Sequence, residues 1–499
     1  MQQIPPALIL SILLGYFLCL IGVSYFTSKG AKNSDFFLAG RKSPWYLVAF
    51  AMVGTSISGV TFISIPGRVG AAAGSNIAFS YLQLVLGYVL GYVVIALILL
   101  PLYYRLNLTS IYGYLEQRLG RMPQKTGSAF FMLSRLVGSS LRMFLMASVL
   151  YEFAFKAFGV PFEVTVLVMI MLIWLYTFKG GIKTVIWTDT LQTVFFLAAG
   201  FFTVLYIGQS LDLSLWGSFT KIAESEYSKT FFFEGGWSDP NNFFKQFFSG
   251  ALITIVMTGL DQDMMQKNLT CRNLRDAQKN MFSFSIVIVF VNLLFLSLGA
   301  MLYFYATEAS VTIPEKTDLL YPTLAFNNFP QIIAILFIVG FISAAYSSAD
   351  STLAALTTAF CIDFLDFEKK TATEDLEQSQ KKTRMRVHIV FTFLMYLVIV
   401  GFNALNSDAI INAVFEIAGY TYGPLLGLFV FGIGTDRHVR QRFVVAICVA
   451  APIISFILNK YSAELLGGFK FGFLILAMNG LLTFLGLWAI SYKKQKPGA

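Results

Sequence analysis

Long apolar runs, separated by short polar stretches, recur along the whole chain. An α-helix needs about 20 consecutive apolar residues to cross the hydrocarbon core of a bilayer. By this criterion the pattern predicts about thirteen transmembrane helices, and the first run is too long to be a cleaved signal peptide. The predicted spans are approximately 7–26, 45–66, 77–104, 127–157, 161–179, 187–208, 243–266, 280–305, 331–361, 387–404, 410–434, 442–459 and 468–492.

The amino-acid composition agrees with a membrane-embedded protein and excludes several classes. Apolar residues make up 57% of the 499 positions and charged residues only 13%, which is about half of the 25% typical of soluble domains. A soluble enzyme with one anchor and a receptor with a large extramembrane domain are therefore excluded. We expect one transmembrane domain over residues 1–499, surrounded by a lipid bilayer and without an obligate protein partner.

The net charge of +9 does not indicate nucleic-acid binding, because the basic residues follow the predicted topology. Most of them lie in alternate loops, for example Lys29–Lys42, Lys267–Lys279 and Lys493–Lys496. Cytoplasmic loops carry the excess of Lys and Arg in membrane proteins. We therefore predict a multi-pass protein of the cell inner (plasma) membrane, and an odd number of spans places the N-terminus outside and the C-terminus in the cytoplasm.

The sequence lacks the residue patterns of an enzyme. His388 and His438 lie at span ends, and no Ser-His-Asp or metal-ligand spacing is present. The four cysteines show no paired spacing. We therefore expect neither catalysis, nor a disulfide framework, nor a cysteine metal cluster.

Ionisable side chains inside the predicted spans are few, and each is a functional candidate because a charge in the membrane is costly. Arg142 and Asp350 lie deepest, so we predict a functional role for both. A buried guanidinium requires an acidic partner, either an anionic substrate or another side chain. For residues near span ends, structural pairing and function stay equally open, namely for Arg135, Asp261 and Asp263.

Two clusters of small polar residues indicate a cation site. Glycines and hydroxyl side chains crowd the centre of the second span, at 54–61. They weaken a helix and expose carbonyl oxygens, although close helix packing would explain the same residues. Oxygen ligands of this kind suit a hard cation such as sodium. The ninth span supplies the other cluster, Ala344, Ser347, Ser348, Asp350 and Ser351.

Five ordered motifs resemble those of the sodium/solute symporter family. They are GTSISGVTF from Gly54, YTFKGGIKTVIWTDTLQ from Tyr176, DQDMMQKNL from Asp261, SSADSTLAALTTAFCIDF from Ser347 and GYTYGPLLGLF from Gly419. The resemblance implies an all-α transporter that works by alternating access, with a LeuT-type core of two inverted five-helix repeats. The leading helix would be 7–26, the repeats 45–208 and 243–434, and the two trailing helices 442–492.

The resemblance also implies sodium as the coupling ion. The sodium site shared within the family corresponds to Gly54, Ile57, Ala344, Ser347 and Ser348.

A second sodium site, present in some members, corresponds to Asp189, Asp350 and Ser351. Asp350 stands where those members have serine. Two carboxylates either strengthen cation binding or hold a proton between them, so the number of coupled ions stays open.

Among the family, bacterial sodium-coupled sialic acid transporters are locally the most similar. Their substrate-contacting positions match Ser58, Thr61, Phe79, Gln83 and Arg142, which implies a bidentate bond from Arg142 to the carboxylate of a sugar acid.

The sugar-transporting branch fits less well, because its Asn, Tyr and Lys are replaced by Thr254, Met257 and Ile288. We expect sodium-driven import of an acidic sugar such as sialic acid. The alternative is a neutral sugar or another carboxylate. A sodium channel or membrane sensor is more remote, because the chain has no filter-like repeat and no signalling domain.

Overall fold

Most of the described part of the chain is helical. The structure is a computed structural model that describes residues 5–29, 33–70, 77–178, 180–234, 236, 239, 241–369, 374–405, 410–469 and 471–493. The helices of its first part are α1 Pro6–Ser28, α2 Asn33–Leu38, α3 Trp45–Ser56, α4 Gly59–Arg68, α5 Tyr81–Val94, α6 Leu100–Arg105, α7 Gly113–Leu119, α8 Arg121–Leu150, α9 Phe162–Thr177, α10 Ile182–Ser210 and α11 Leu215–Ala223.

The described residues of the second part form ten further α-helices and one small sheet. In the sheet, β1 (His438–Val439) pairs antiparallel with β2 (Ser491–Tyr492). The helices are α12 Phe243–Thr254, α13 Gln262–Leu269, α14 Leu274–Glu308, α15 Leu320–Asn327, α16 Gln331–Ala359, α17 Glu374–Leu405, α18 Ile410–Gly434, α19 Val444–Lys460, α20 Ser462–Leu465 and α21 Ile475–Ala489.

The structure confirms an all-α polytopic membrane protein. Among the described residues, ten helices are long and apolar enough to cross a membrane, and two bent helix pairs also qualify if each counts as one span. The shorter apolar helix α9 coincides with another predicted span. Each of the predicted spans therefore overlaps a helix or a bent pair. Side chains on the outward faces, such as Phe290 and Phe393, are largely exposed, as expected for lipid-facing surface.

Two of the polar stretches between predicted spans contain helix. In the stretch 363–386, α17 begins at Glu374. Residues 209–242 include the short helix α11, whose Ser214 side chain accepts a hydrogen bond from the backbone of Gly217 and so caps it. Polar sequence alone does not distinguish a loop from the solvated end of a long helix.

Both bent helix pairs break where the sequence disfavours a helix. Between α3 and α4, Ile57 and Ser58 have extended backbone angles, and the axes bend by 61°. The surrounding glycine and hydroxyl residues stabilise a helix poorly. The second pair, α12 and its π-helical extension followed by α13, bends by 64°. There Asp261 is extended, and its carboxylate accepts from the backbone of Met264, which caps α13.

The two broken pairs meet the longest helices at the centre of the molecule. Helix α10 packs along α16, and α3 contacts α10, α14 and α16. Small residues permit this proximity, since a Cβ atom on Gly54 would lie 3.0 Å from the carbonyl oxygen of Asp189 and 3.6 Å from the Ser347 hydroxyl. The last turn of α3, which leads into the unwound segment 57–58, therefore lies beside Asp189 of α10 and Ser347 of α16.

Candidate functional site

A cavity of about 120 Å³ lies at the break between α3 and α4. Hydroxyl, aromatic and guanidinium groups line one part of its wall, and α12 and α14 line the rest with both apolar and polar side chains, among them Ile253, Ile288 and Asn292. Three of the residues that the resemblance implied as substrate contacts belong to this lining, namely Ser58, Thr61 and Arg142. Ser58 precedes the first turn of α4 and makes no capping hydrogen bond with its side chain. The Ser58 hydroxyl therefore lies at the cavity wall beside the positive end of the α4 dipole, where a negative charge is favoured.

Arg142 lines the cavity and forms no ion pair with a described carboxylate. Its guanidinium donates to the Ser348 hydroxyl at 3.0 Å, and it takes part in none of the ion pairs formed between described residues. Ser348 is fully buried on α16. In the described part of the chain the cavity therefore has one guanidinium that is not in direct contact with a carboxylate.

Arg135, one heptad earlier on α8, has the opposite environment. Its Nε and one terminal nitrogen donate to the two carboxylate oxygens of Asp261 at 2.6 and 2.7 Å. Tyr422 donates to the same carboxylate at 2.6 Å, and Asp263 lies 3.6 Å from the guanidinium. Of the two explanations left open for these residues, the structure shows paired charges, which hold the α13 N-terminus against α8 and α18.

The residues of the shared sodium site lie together. Ser347 donates to the carbonyl oxygen of Gly54 at 2.6 Å, which joins α16 to the last turn of α3. Ile57 occupies the break itself, and Ala344 and Ser348 lie on the buried face of α16. Within the described ranges, no group of three or more histidine, cysteine or carboxylate side chains is arranged to hold a metal ion. The donor set is therefore carbonyl and hydroxyl oxygen, which fits sodium.

The residues of the second predicted sodium site are engaged with different partners. Lys267 forms an ion pair with Asp189, with Nζ 2.6 Å from Oδ2, and both side chains are fully buried. Asp350 accepts from the Tyr176 hydroxyl at 2.8 Å, whereas Ser351 donates to Asp263. The structure thus does not direct Asp189, Asp350 and Ser351 at one common point.

Phe79 and Gln83 lie outside the cavity lining. Gln83 is fully buried, accepts from the backbone of Phe232 at 3.1 Å and donates to the carbonyl of Asn241 at 2.9 Å. It therefore anchors the segment before α12. Phe79 is buried just before α5, where its backbone nitrogen donates to the carbonyl of Lys229.

Helix α5 presents tyrosines to the cavity instead. Tyr81, Tyr88 and Tyr92 line it, and the hydroxyls of Tyr81 and Tyr88 lie 3.1 Å apart. Gln83 follows Tyr81 by two residues, about 200° around a helix, so the two cannot share a face. These three tyrosines were not predicted from the sequence as cavity residues, although their spacing of i, i+7 and i+11 places them on one face of a helix.

Lys267 was also missed. We placed it in a basic cytoplasmic loop, but it lies in α13 and is fully buried. The short helix after the second break extends the buried region farther along the chain than hydropathy indicates. Because an isolated lysine at a span end usually extends to solvent, the local sequence contains no signal for its burial.

Comparisons with known proteins agree with this arrangement. The model of the "Sodium:solute symporter family" matches residues 36–449. The sodium/sialic acid symporter NanT of Aliivibrio fischeri is 25% identical over 483 residues, covering 93% of this chain and 90% of the relative. The sodium/sialic acid symporter SiaT of Proteus mirabilis is 24% identical over 469 residues, with 91% and 90% covered.

A solved structure has the same fold. It is a sodium-coupled sialic acid symporter in a substrate-bound outward-open state, with a TM-score of 0.79, 21% identity and 96% of each chain covered. This likeness confirms the LeuT-type architecture. The family match extends from α2 into α19 and so includes the cavity, the shared sodium residues and both broken helices. The chain therefore belongs to the sodium:solute symporter family and is a sodium-coupled transporter.

Proposed function

We propose that this protein imports sialic acid together with sodium across the plasma membrane. The observation that carries the proposal is Arg142, a cavity-lining guanidinium with no carboxylate partner among the described residues. A desolvated charge without a counter-charge is strongly unfavourable. The carboxylate of a sugar acid supplies that charge and matches the guanidinium in a bidentate geometry.

The remaining lining suits the rest of such a molecule. Ser58 and Thr61 offer hydroxyls from the broken helix, and the α5 tyrosines offer rings with polar edges. Thr254, Met257 and Ile288 also line the cavity, at the positions where the sugar-transporting branch has Asn, Tyr and Lys. This replacement argues against the neutral sugars of that branch, and the preference for an acidic substrate rests on Arg142.

The proposed sodium site and the Arg142 side of the cavity share one side chain, that of Ser348. Ser348 accepts from Arg142 at 3.0 Å, and the same hydroxyl is a ligand in the proposed sodium site. A substrate carboxylate draws the guanidinium toward the cavity and leaves the Ser348 oxygen available to sodium. The hydrogen bond from the Ser347 hydroxyl to the Gly54 carbonyl joins two of the proposed sodium ligands. A sodium ion that binds both oxygens takes the place of this hydrogen bond. Each ligand thereby favours binding of the other.

We assign the whole chain, 1–499, to one transporter domain. The two bent pairs begin the proposed repeats, 45–208 and 243–434, preceded by one helix and followed by two. The N-terminus lies outside and the C-terminus in the cytoplasm, as the distribution of basic residues indicates.

The test is uptake into proteoliposomes. An inward sodium gradient should drive accumulation of labelled sialic acid, and an equal potassium gradient should not. Unlabelled sialic acid should compete, whereas glucose and lactate should not. Equal uptake in the two gradients would refute sodium coupling, and a lack of competition by sialic acid would refute the substrate.

A second candidate is a smaller carboxylate. The cavity volume of about 120 Å³ is below the roughly 300–1,000 Å³ usual for ligand pockets. Competition by lactate but not by sialic acid in the same assay would identify this alternative.

A further inference from the structure

Lys267 brings a positive charge into the interior, close to both broken helices. Its ammonium contacts the Asp189 carboxylate on α10 and the Thr55 hydroxyl on α3. Thr55 in turn donates to Asp189 at 3.1 Å. Lys267 and Asp189 are fully buried, and Thr55 is 3% exposed.

The contact of Lys267 with Asp189 and Thr55 lies beside the first helix break and the proposed sodium site. Thr55 directly follows Gly54, whose carbonyl belongs to the proposed sodium site, and the break begins two residues later. Asp189 is the carboxylate that a second sodium ion would require. Lys267 itself extends from α13, the second half of the other bent pair. One ammonium group thus connects the first broken helix, the second broken helix and the Asp189 carboxylate on α10.

We propose that Lys267 is a built-in cation that replaces the second sodium ion, so that one sodium ion accompanies each substrate molecule. This rests on the proposed sodium-coupled uptake and specifies its stoichiometry. Lys267, a side chain of the same protein, neutralises the charge on Asp189 permanently. Unlike a sodium ion, Lys267 does not exchange with solvent, because it moves with the broken helices.

Electrostatics makes the two cations mutually exclusive. Asp189 keeps one oxygen, Oδ1, without a hydrogen-bond partner among the described residues. A sodium ion on that oxygen would lie about 4 Å from the ammonium, and repulsion at that distance, with an effective dielectric constant of about 20, weakens binding by roughly three orders of magnitude.

The other predicted ligands do not compensate for this repulsion. Asp350 accepts from Tyr176, and its other oxygen accepts from the backbone of Ser351 at 2.5 Å. The Ser351 hydroxyl is directed at Asp263. A second sodium ion would have to break these contacts as well as displace Lys267.

The first experiment uses the wild-type protein in detergent. Sodium chloride is titrated against thermal stability, with choline chloride keeping the ionic strength constant. We expect a Hill coefficient of about 1. Flux of labelled sodium and labelled sialic acid into proteoliposomes should then give one ion per substrate molecule.

Variants test whether Lys267 causes this stoichiometry. In Lys267→Met the Hill coefficient should rise from about 1 to about 2, because Asp189 becomes available to sodium. In the double variant Lys267→Met/Asp189→Asn it should return to about 1, since both charges are removed together. Lys245→Met is the matched control, because this lysine is also buried, in α12 of the same bent pair, and its replacement should leave the coefficient unchanged.

The outcomes separate the two proposals. A wild-type ratio of two sodium ions per sialic acid, or an unchanged Hill coefficient in a folded Lys267→Met protein, would overturn the role of Lys267 alone. If Lys267→Met does not fold, the wild-type ratio decides. Uptake that is equal in sodium and potassium would instead overturn sodium coupling itself.

Discussion

Two arginines on α8 show how far a residue's role depends on its neighbours. Arg135 and Arg142 are seven residues apart and project from the same side of the helix. Asp261, which also accepts from Tyr422, pairs with Arg135, whereas the described hydrogen-bond partner of Arg142 is a serine hydroxyl. The first arginine is therefore part of the scaffold, and the second is available to a ligand.

Replacing Arg142 should remove affinity for an acidic substrate. Removing one member of a desolvated charge pair costs about 2–5 kcal/mol of binding free energy. For Arg142→Gln we expect sialic acid affinity to fall accordingly, while sodium still stabilises the protein. Isothermal titration in sodium measures the first effect and thermal unfolding the second. Arg440→Gln, at an exposed position, is the control. If the affinity of Arg142→Gln for sialic acid were unaltered, Arg142 would have a structural role and would not bind the substrate.

Ser348 should set the sodium requirement. Ser348→Ala removes one proposed ligand oxygen and the acceptor for Arg142, so the sodium concentration for half-maximal uptake should increase. Ser148→Ala provides the comparison, because that hydroxyl bonds only its own helix, at the carbonyl of Phe144. If both variants required the same sodium concentration as wild type, Ser348 would not be a sodium ligand.

At the scale of helices, contact between α5 and α12 depends on glycine. A Cβ atom on Gly250 would overlap the carbonyl oxygen of Leu84, and one on Gly87 would overlap that of Phe247. These carbonyls belong to backbone and cannot rotate away. The two helices therefore approach as closely as glycine allows, which places the α5 tyrosines beside the second broken helix.

We predict that Gly250→Ala destabilises the protein and lowers transport. Overpacking of this kind costs about 1–3 kcal/mol, and the separation of α5 from α12 should also alter the cavity. Thermal unfolding in detergent and sodium-driven uptake measure the two effects. Gly138→Ala on α8 has open space around the new methyl group and should be neutral or slightly stabilising. Equal midpoints for the two variants would contradict the close approach.

The broken helices were only partly predictable. Around 54–59 the residues themselves indicated a weak helix. At 260–261 the residues gave no comparable signal for a break. There Asp261 can be extended because Arg135 and Tyr422 hold its carboxylate, and those partners are distant in the sequence.

For the whole molecule, the proposed orientation can be tested by labelling in intact cells. In a Cys19→Ser background, Glu224→Cys lies in the predicted outer region and Arg440→Cys in the predicted cytoplasmic region, both at exposed positions. A membrane-impermeant maleimide should label only the first. Burial raises the pKa of the Cys271 thiol to about 12, so this cysteine should stay unreactive. Labelling of Arg440→Cys alone would invert the topology.

The sequence by itself determined the membrane class and the approximate positions of the spans. These follow from local composition, because lipid requires every buried backbone group to bond within a helix. The family followed from the five ordered motifs, and the residues of the shared sodium site stay a prediction from that resemblance. Only the tertiary structure decided which side chains meet. Gln83 was directed away from the cavity by helix rotation, and Lys267 was brought against Asp189 by a helix break. Pairing of this kind depends on the mutual rotation and depth of helices that are far apart in the chain, which no local pattern encodes.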